Sequence, residues 1–295
     1  NSLNTAVGYE AGLSVTTGVR NTLIGGQAGD ALTVGLENVA LGYISLTTDT
    51  KGKYSTAIGT QALHTQNFTT ATDAYNTAVG YNTGAGITTG IQNTLMGGLA
   101  GDALTGGGFS GTTRQAGGDD NVAIGYQALT RDTKGSNSVA VGFNTLADQI
   151  FSSATDSHNV AVGYNAGGAV SSGIQNTLMG ALAGDALTDA DNNVAVGKSA
   201  LTTNRLGSES VAIGTFALNS QDPVDGSNNP TAANMHNTAV GHNAGGAVTT
   251  GIKNTFVGAL AGDAITTVAG NTAVGYASLS AAAGASNTAV GIQTG

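Results

Sequence analysis

Hydrophobic and polar positions in this chain follow one five-residue word, Asn-Thr-Ala-Val-Gly, seen in pure form at 237–241. Sixteen copies or close variants begin between Asn4 and Asn287. Most successive starts lie 17 residues apart, as from Asn4 to Asn21, Asn38 and Ser55. A short fixed period with occasional insertions is the mark of a solenoid, in which one small unit stacks on copies of itself. Length alone would suggest about two globular domains. The repeat overrides that expectation and predicts a single all-β solenoid domain over 1–295, of about sixteen coils, with no significant helix.

Within the word, alternate residues of an extended strand point to opposite faces. Thr5 and Val7 share one face, and their equivalents are Val39, Val122, Ile24, Leu41 and Met96. This apolar face is expected to fill the inside of a thin roll. The opposite face carries Ala6, Leu23, Leu95, Leu178, Ala239 and Phe256. A position that takes only Ala, Leu or Phe does not read as solvated, so both faces are expected to be buried. A stripe of sixteen such positions is more apolar surface than a soluble monomer leaves exposed. These six residues are therefore the candidates for an interface between copies of the chain.

Seven residues after each word begins sits Ala, Ser or Thr, from Ala11 and Ala28 to Thr294. A position that never exceeds Thr in size predicts close approach of backbone layers. The Gly that ends each word suits a positive φ, and the Asn that opens it suits a turn with side chains hydrogen-bonded along the stack. A longer period is superimposed. Asn21, Asn93, Asn176 and Asn254 each open a coil containing Ala-Gly-Asp-Ala, so the duplicated unit held four coils. The residue after the word is often aromatic (Tyr9, Tyr43, Tyr81, Tyr126, Phe143, Tyr164, Tyr276), which predicts ladders that pack coil on coil.

Insertions break the rhythm near 67–75, 105–120, 148–158 and 219–236. Loops that bulge from a regular scaffold are the usual place for recognition. The candidates there are Phe68, Tyr75, Phe109, Phe151, His158 and His236.

Composition narrows the function. Charged residues are 9 % of the chain and the net charge is −9, with no basic cluster, which excludes nucleic acid as the expected partner. With no Cys there is no disulfide or thiolate site, and no apolar run approaches a membrane span, so no membrane insertion by this segment is expected. The chain opens on Asn1 and stops at Gly295 inside a repeat, and so reads as a piece of a longer polypeptide.

The forms Asn137-Ser138-Val139-Ala140-Val141-Gly142 and Ser210-Val211-Ala212-Ile213-Gly214 closely resemble the head repeat of YadA-like trimeric autotransporter adhesins. The small-residue ladder from Ala11 to Thr294 falls where that repeat has Ser. Similar repeats occur in bacteriophage tail and fibre proteins. The resemblance covers essentially the whole chain. It implies a left-handed parallel β-roll, a parallel homotrimer and a role in attachment. The 17-residue coil is longer than the usual adhesin coil, and no neck, stalk or anchor is present in this segment.

Other chemistry is poorly supported. Gly197-Lys198-Ser199 ends like a phosphate-binding loop, but Asn192 stands where the first Gly belongs. Asp30, Asp102, Asp185 and Asp263 recur only once in four coils, too far apart to share an ion, and read as turn formers. Asp189-Ala190-Asp191-Asn192 and Asp119-Asp120 could hold Ca²⁺ only with help from carbonyls, and the four His share no ligand spacing. No cofactor and no catalytic residue is expected. The favoured reading is a structural and adhesive segment of an extracellular trimeric fibre, on a virion surface as a phage tail or capsid fibre. Its partners would be itself and a host-surface receptor or glycan. A bacterial adhesin head is the alternative. A fibre-borne polysaccharide depolymerase using Asp222 and Asp225 ranks below both. An ice-binding array ranks last, because Thr16-Thr17 recurs only every fourth coil.

Overall fold

A computed structural model describes residues 3–106, 109–110, 113–114, 117–281 and 284–295. The described chain is all-β, a parallel β-solenoid of about sixteen turns of about 17 residues. It divides into two compact units, Asn1–Ser157 and His158–Gly295.

Each word contributes a three-residue strand. In the first unit Thr5–Val7, Thr22–Ile24, Val39–Leu41, Thr56–Ile58, Thr77–Val79, Thr94–Met96, Val122–Ile124 and Val139–Val141 pair in parallel, word against word. In the second unit the ladder runs from Val160–Val162 through Thr177–Met179 and Val194–Val196 to Thr288–Val290 in the same register. Hydrogen bonds between coils continue outside the strands, as from Gln27 N–H to the Tyr9 carbonyl (2.7 Å) and from Gly12 N–H to the Ala28 carbonyl (3.0 Å). The strand ends at the Gly because nothing larger fits. Gly8 has φ +133°, and a Cβ there would stand 2.4 Å from the Gly25 carbonyl oxygen.

Number the word's Asn as position 1 of each coil. Its side chain forms a buried ladder, as predicted. Asn21 Oδ1 accepts the N–H of Asn38 (3.0 Å), and Asn21 Nδ2 donates to the Gly35 carbonyl (2.9 Å). In the fourth, eighth and twelfth coils a Ser breaks the ladder (Ser55, Ser138 and Ser210). There a buried Gln bridges the gap: Gln66 Nε2 donates to Ser55 Oγ (2.9 Å), and its Oε1 accepts from Asn76 Nδ2 (2.8 Å). Gln149 with Ser138 and Gln221 with Ser210 repeat the arrangement.

The interior corrects the expected assignment of strand faces. Position 3 points into the chain's own core, and positions 2 and 4 face outward. Leu23, Leu95, Leu178, Ala239 and Phe256 are sealed inside the roll, while Ala6 in the first strand stays exposed. The physical reason is volume exchange between positions 3 and 9. Where position 3 is large, position 9 of its own and of the preceding coil is Gly: a Cβ on Gly12 or Gly29 would lie 2.7 Å from Leu23. Where position 3 is Ala, as in Ala40 and Ala57, buried Leu46 and Leu63 fill the space. The Ala/Leu/Phe restriction is thus a packing rule inside one chain.

Position 12 carries the four-coil period into the core. It is Ile87, Val170 or Val248 in the first coil of a unit of four and Leu32, Leu104 or Leu187 in the second. The third has Asp49, Asp132 or Asn204, and the fourth Gln66, Gln149 or Gln221; all are buried. The insertions that follow fold back onto the coil before them. Thr72–Asp73 pairs in parallel with Gly52–Lys53, Thr155–Asp156 with Gly135–Ser136, and Ala233–Asn234 with Gly207–Ser208.

Candidate recognition surfaces

The residues expected to line the insertions separate into two classes. Phe68 and Phe151 are core plugs and are corrected from recognition to packing. Each lies against a Gly that has room for nothing more: a Cβ on Gly52 or Gly135 would meet the ring at 2.9 Å. Burying a ring of that size anchors the loop base. The loop tips, such as 69–71, 152–154 and 225–229, stay exposed. Phe109 begins the strand Phe109–Ser110, which pairs antiparallel with Thr113–Arg114; its side chain lies outside the described residues.

Tyr75, His158 and His236 are exposed, and each directly precedes a word. All three are left-handed, with φ of 50°, 49° and 51°. The ring of Tyr75 stacks on Tyr54, with centroids 5.1 Å apart and planes 9° off parallel. His236 Nδ1 sits 2.9 Å from Glu209 Oε2.

The buried polar sites are structural. Asp49 Oδ1 accepts from the Gly52 N–H (2.9 Å), and Oδ2 accepts from Gln66 Nε2 (2.7 Å). Burial nevertheless outweighs these donors and raises the Asp49 carboxyl above its usual range; Asp132, bonded to Gly135 and Gln149, is raised for the same reason. Asp30, Asp102 and Asp185 lie in turns, as expected, and make a further contact. Each accepts the hydroxyl of a Thr on the next coil: Thr47, Thr130 and Thr202. Asp263 departs from the series, with a buried Oδ1 that has no hydrogen-bond partner among the described residues.

The remaining candidates are already engaged. Asp189 accepts from Ser171 and Ser172, both at 2.7 Å, and these hydroxyls hold it below the usual carboxylate range. Asp191 and Asp119 each cap a backbone N–H, of Ile174 (2.8 Å) and Ile91 (2.9 Å). Among the described residues no three His, Cys, Asp or Glu side chains gather as a metal site. Asp222 pairs with Arg205 (Nε to Oδ2, 2.9 Å), and Asp225 is held ionised by the N–H groups of Asn229 and Ser227. Gly197, φ +133°, is the usual word-ending Gly and opens no helix.

What sequence reasoning missed is an outward apolar stripe. Position 4 is half exposed along both units, as at Leu41 (42 %), Met96 (45 %), Met179 (43 %) and Val257 (38 %). Two residues on, at position 6, Tyr9, Tyr43, Tyr81, Tyr126 and Phe143 line the first unit, and Tyr164 and Tyr276 the second, all exposed by about half or more. Tyr126 and Phe143 do stack coil on coil, at 5.7 Å. The rings also lean over neighbouring glycines: a Cβ on Gly26 would meet Tyr43 at 3.3 Å. No protein-family model and no curated protein matches the sequence. Among the described residues no helix is long and apolar enough to cross a membrane.

Proposed function

We propose that this segment is a structural and adhesive part of an extracellular fibre, built from three parallel, left-handed copies of the chain, that mediates attachment to a host cell or surface. The observation that carries the reading is the position 4 and position 6 stripe. It replaces the position 3 stripe as the interface, because position 3 is consumed within one chain. At roughly 60–120 Å² for each half-exposed aliphatic or aromatic side chain, one unit offers about 800–1,000 Å², the area per partner of a standard specific interface. Monomeric soluble proteins rarely leave apolar patches of more than a few hundred Å² open. The stripe carries few charges, has the period of the repeat itself and so meets an identical stripe in register. Closed rotational symmetry is the simplest arrangement that buries it along its whole length.

The threefold number and the left-handed winding follow from the adhesin-like words at Ser138 and Ser210. A phage tail or capsid fibre is favoured because similar words occur in such fibres and the 17-residue coil is longer than the usual adhesin coil. Sedimentation equilibrium tests the assembly. A native mass three times that of the chain supports it, and a sharp monomer mass refutes it. Attachment is tested separately, by binding of the purified, labelled protein to candidate host cells.

A further inference from the structure

The residues that directly precede the words form a second surface. Each sits in the left-handed region, with φ from 49° to 73°. In the first unit Arg20, Glu37, Tyr54, Tyr75 and Gln92 occupy five consecutive coils. In the second, Gln175, Asn192, Glu209 and His236 do the same over four. Every one of these nine side chains ends in a flat group that can hydrogen-bond. Only the ends of the series depart, at Leu3, Lys253, Gly270 and Ser286.

The backbone does not demand this chemistry. A left-handed conformation favours Gly, and this chain has 47 of them. Position 7 provides an internal control. It is left-handed too and carries Glu, Gln or Asn in nine coils, but it also takes Ile44, Leu99, Leu182, Phe216 and Leu260. At equal backbone strain one corner of the coil mixes planar polar with aliphatic residues, and the other holds planar polar groups at every coil from Arg20 to His236.

Neighbours on this ridge are aligned with one another. Arg20 pairs with Glu37, Tyr54 stacks on Tyr75, and His236 Nδ1 lies 2.9 Å from Glu209. With coils about 4.8 Å apart, such groups recur at the spacing of one strand to the next. The ridge is close to neutral in a chain of net charge −9: Arg20 and Glu37 offset each other, and Tyr54, Tyr75 and Gln92 add nothing. A surface of this kind does not select a polyanion, which needs clustered Lys and Arg. It offers repeated hydroxyl, amide and carboxylate contacts beside aromatic rings.

We propose that the ridge over Arg20 to Gln92 binds a neutral, hydroxyl-rich polysaccharide lying along the solenoid, with a lesser site over Gln175 to His236. The inference rests on the attachment reading and names its ligand class. Weak contacts repeated at each coil would sum to useful avidity through linkage alone.

Affinity electrophoresis in gels containing dextran, yeast mannan, a β-glucan or heparin tests it, using the whole chain and the triple variant Tyr54→Gly, Tyr75→Gly, Gln92→Gly. Glycine relieves the left-handed strain, so the variant should melt within a few degrees of the parent. Expected is retardation of the parent by at least one neutral polysaccharide, reduced at least tenfold in the variant, with none by heparin. Retardation by heparin alone, by none of the four, or equally in parent and variant would overturn the proposal. So would a variant that melts more than about 10 °C lower, because the side chains would then be serving stability. A protein that attaches to cells but fails this test retains the fibre reading and loses the ligand. A monomer that passes it retains the ligand and loses the fibre.

Discussion

The ring of Phe256 occupies the space that a side chain at Gly262 would need: a Cβ on Gly262 would stand 2.3 Å from two ring carbons. Gly262 also has φ +63°, so Gly262→Ala adds overlap to backbone strain. The expected cost is about 2–4 kcal/mol, read by chemical denaturation. Phe256→Leu should be mild, because Leu23, Leu95 and Leu178 fill the equivalent place. Combined with Gly262→Ala it should recover part of the loss, and strict additivity of the two changes would show that the ring is not the obstacle.

Asp263 lacks the partner its three equivalents have. Thr47, Thr130 and Thr202 supply a hydroxyl to Asp30, Asp102 and Asp185, whereas Ser280, the corresponding residue, donates instead to the Ala277 carbonyl (2.7 Å). Ser280→Thr should turn a hydroxyl to the buried Oδ1 of Asp263 and stabilise the chain by about 1 kcal/mol, the usual net worth of one satisfied bond. A melting temperature unchanged or lowered by the substitution would count against this account.

The stack, its period and its Asn ladder were legible because each is a one-coil property that recurs along the chain. The direction of the strand faces was not. Val7 looks more like a core residue than Ala6 does, and hydropathy alone assigns the faces backwards. The deciding signal was a correlation between coils: Leu23, Leu95, Leu178 and Phe256 occur where position 9 of their own and of the preceding coil are both Gly, and from the second coil on Ala occurs where either of the two is Leu. Such an exchange conserves interior volume and has no reason to exist across a solvent-facing surface. The same blindness promoted Phe68 and Phe151 to recognition, since an aromatic in an insertion does not announce that Gly52 or Gly135 has left room for it. Tyr75 and His236 stood out correctly as exposed, but their kinship with Arg20 and Gln92 is visible only once the left-handed corner is known.

Asp49 and Asp132 give the fold a pH dependence of known sign. Burial raises both carboxyls in the folded state. A raised acid contributes stability below its unfolded value of about 3.9, and that contribution is lost as pH rises through the folded value. Asn204 holds the equivalent place without titrating, with its Oδ1 accepting from the Gly207 N–H at 2.9 Å. The double change Asp49→Asn, Asp132→Asn should therefore remove part of the decline in stability from about pH 4 upward. Melting curves across pH 3–8 check it, and parallel curves for the two proteins would reject it.

Adjacent residues on one strand distinguish folding from assembly. Leu95 is buried in the roll, while Met96 beside it is 45 % exposed on the proposed interface. Charge at the first should unfold the chain, since an unpaired carboxylate cannot stay ionised in that core without large cost. Charge at the second leaves the roll intact. Met96→Asp combined with Met179→Asp should yield a folded monomer or a concentration-dependent mixture, with a β-type circular dichroism spectrum like that of the parent. Leu95→Asp combined with Leu178→Asp should lose that spectrum altogether. If the methionine variant keeps the parent's sedimentation coefficient at micromolar concentration, the stripe is not where the copies meet.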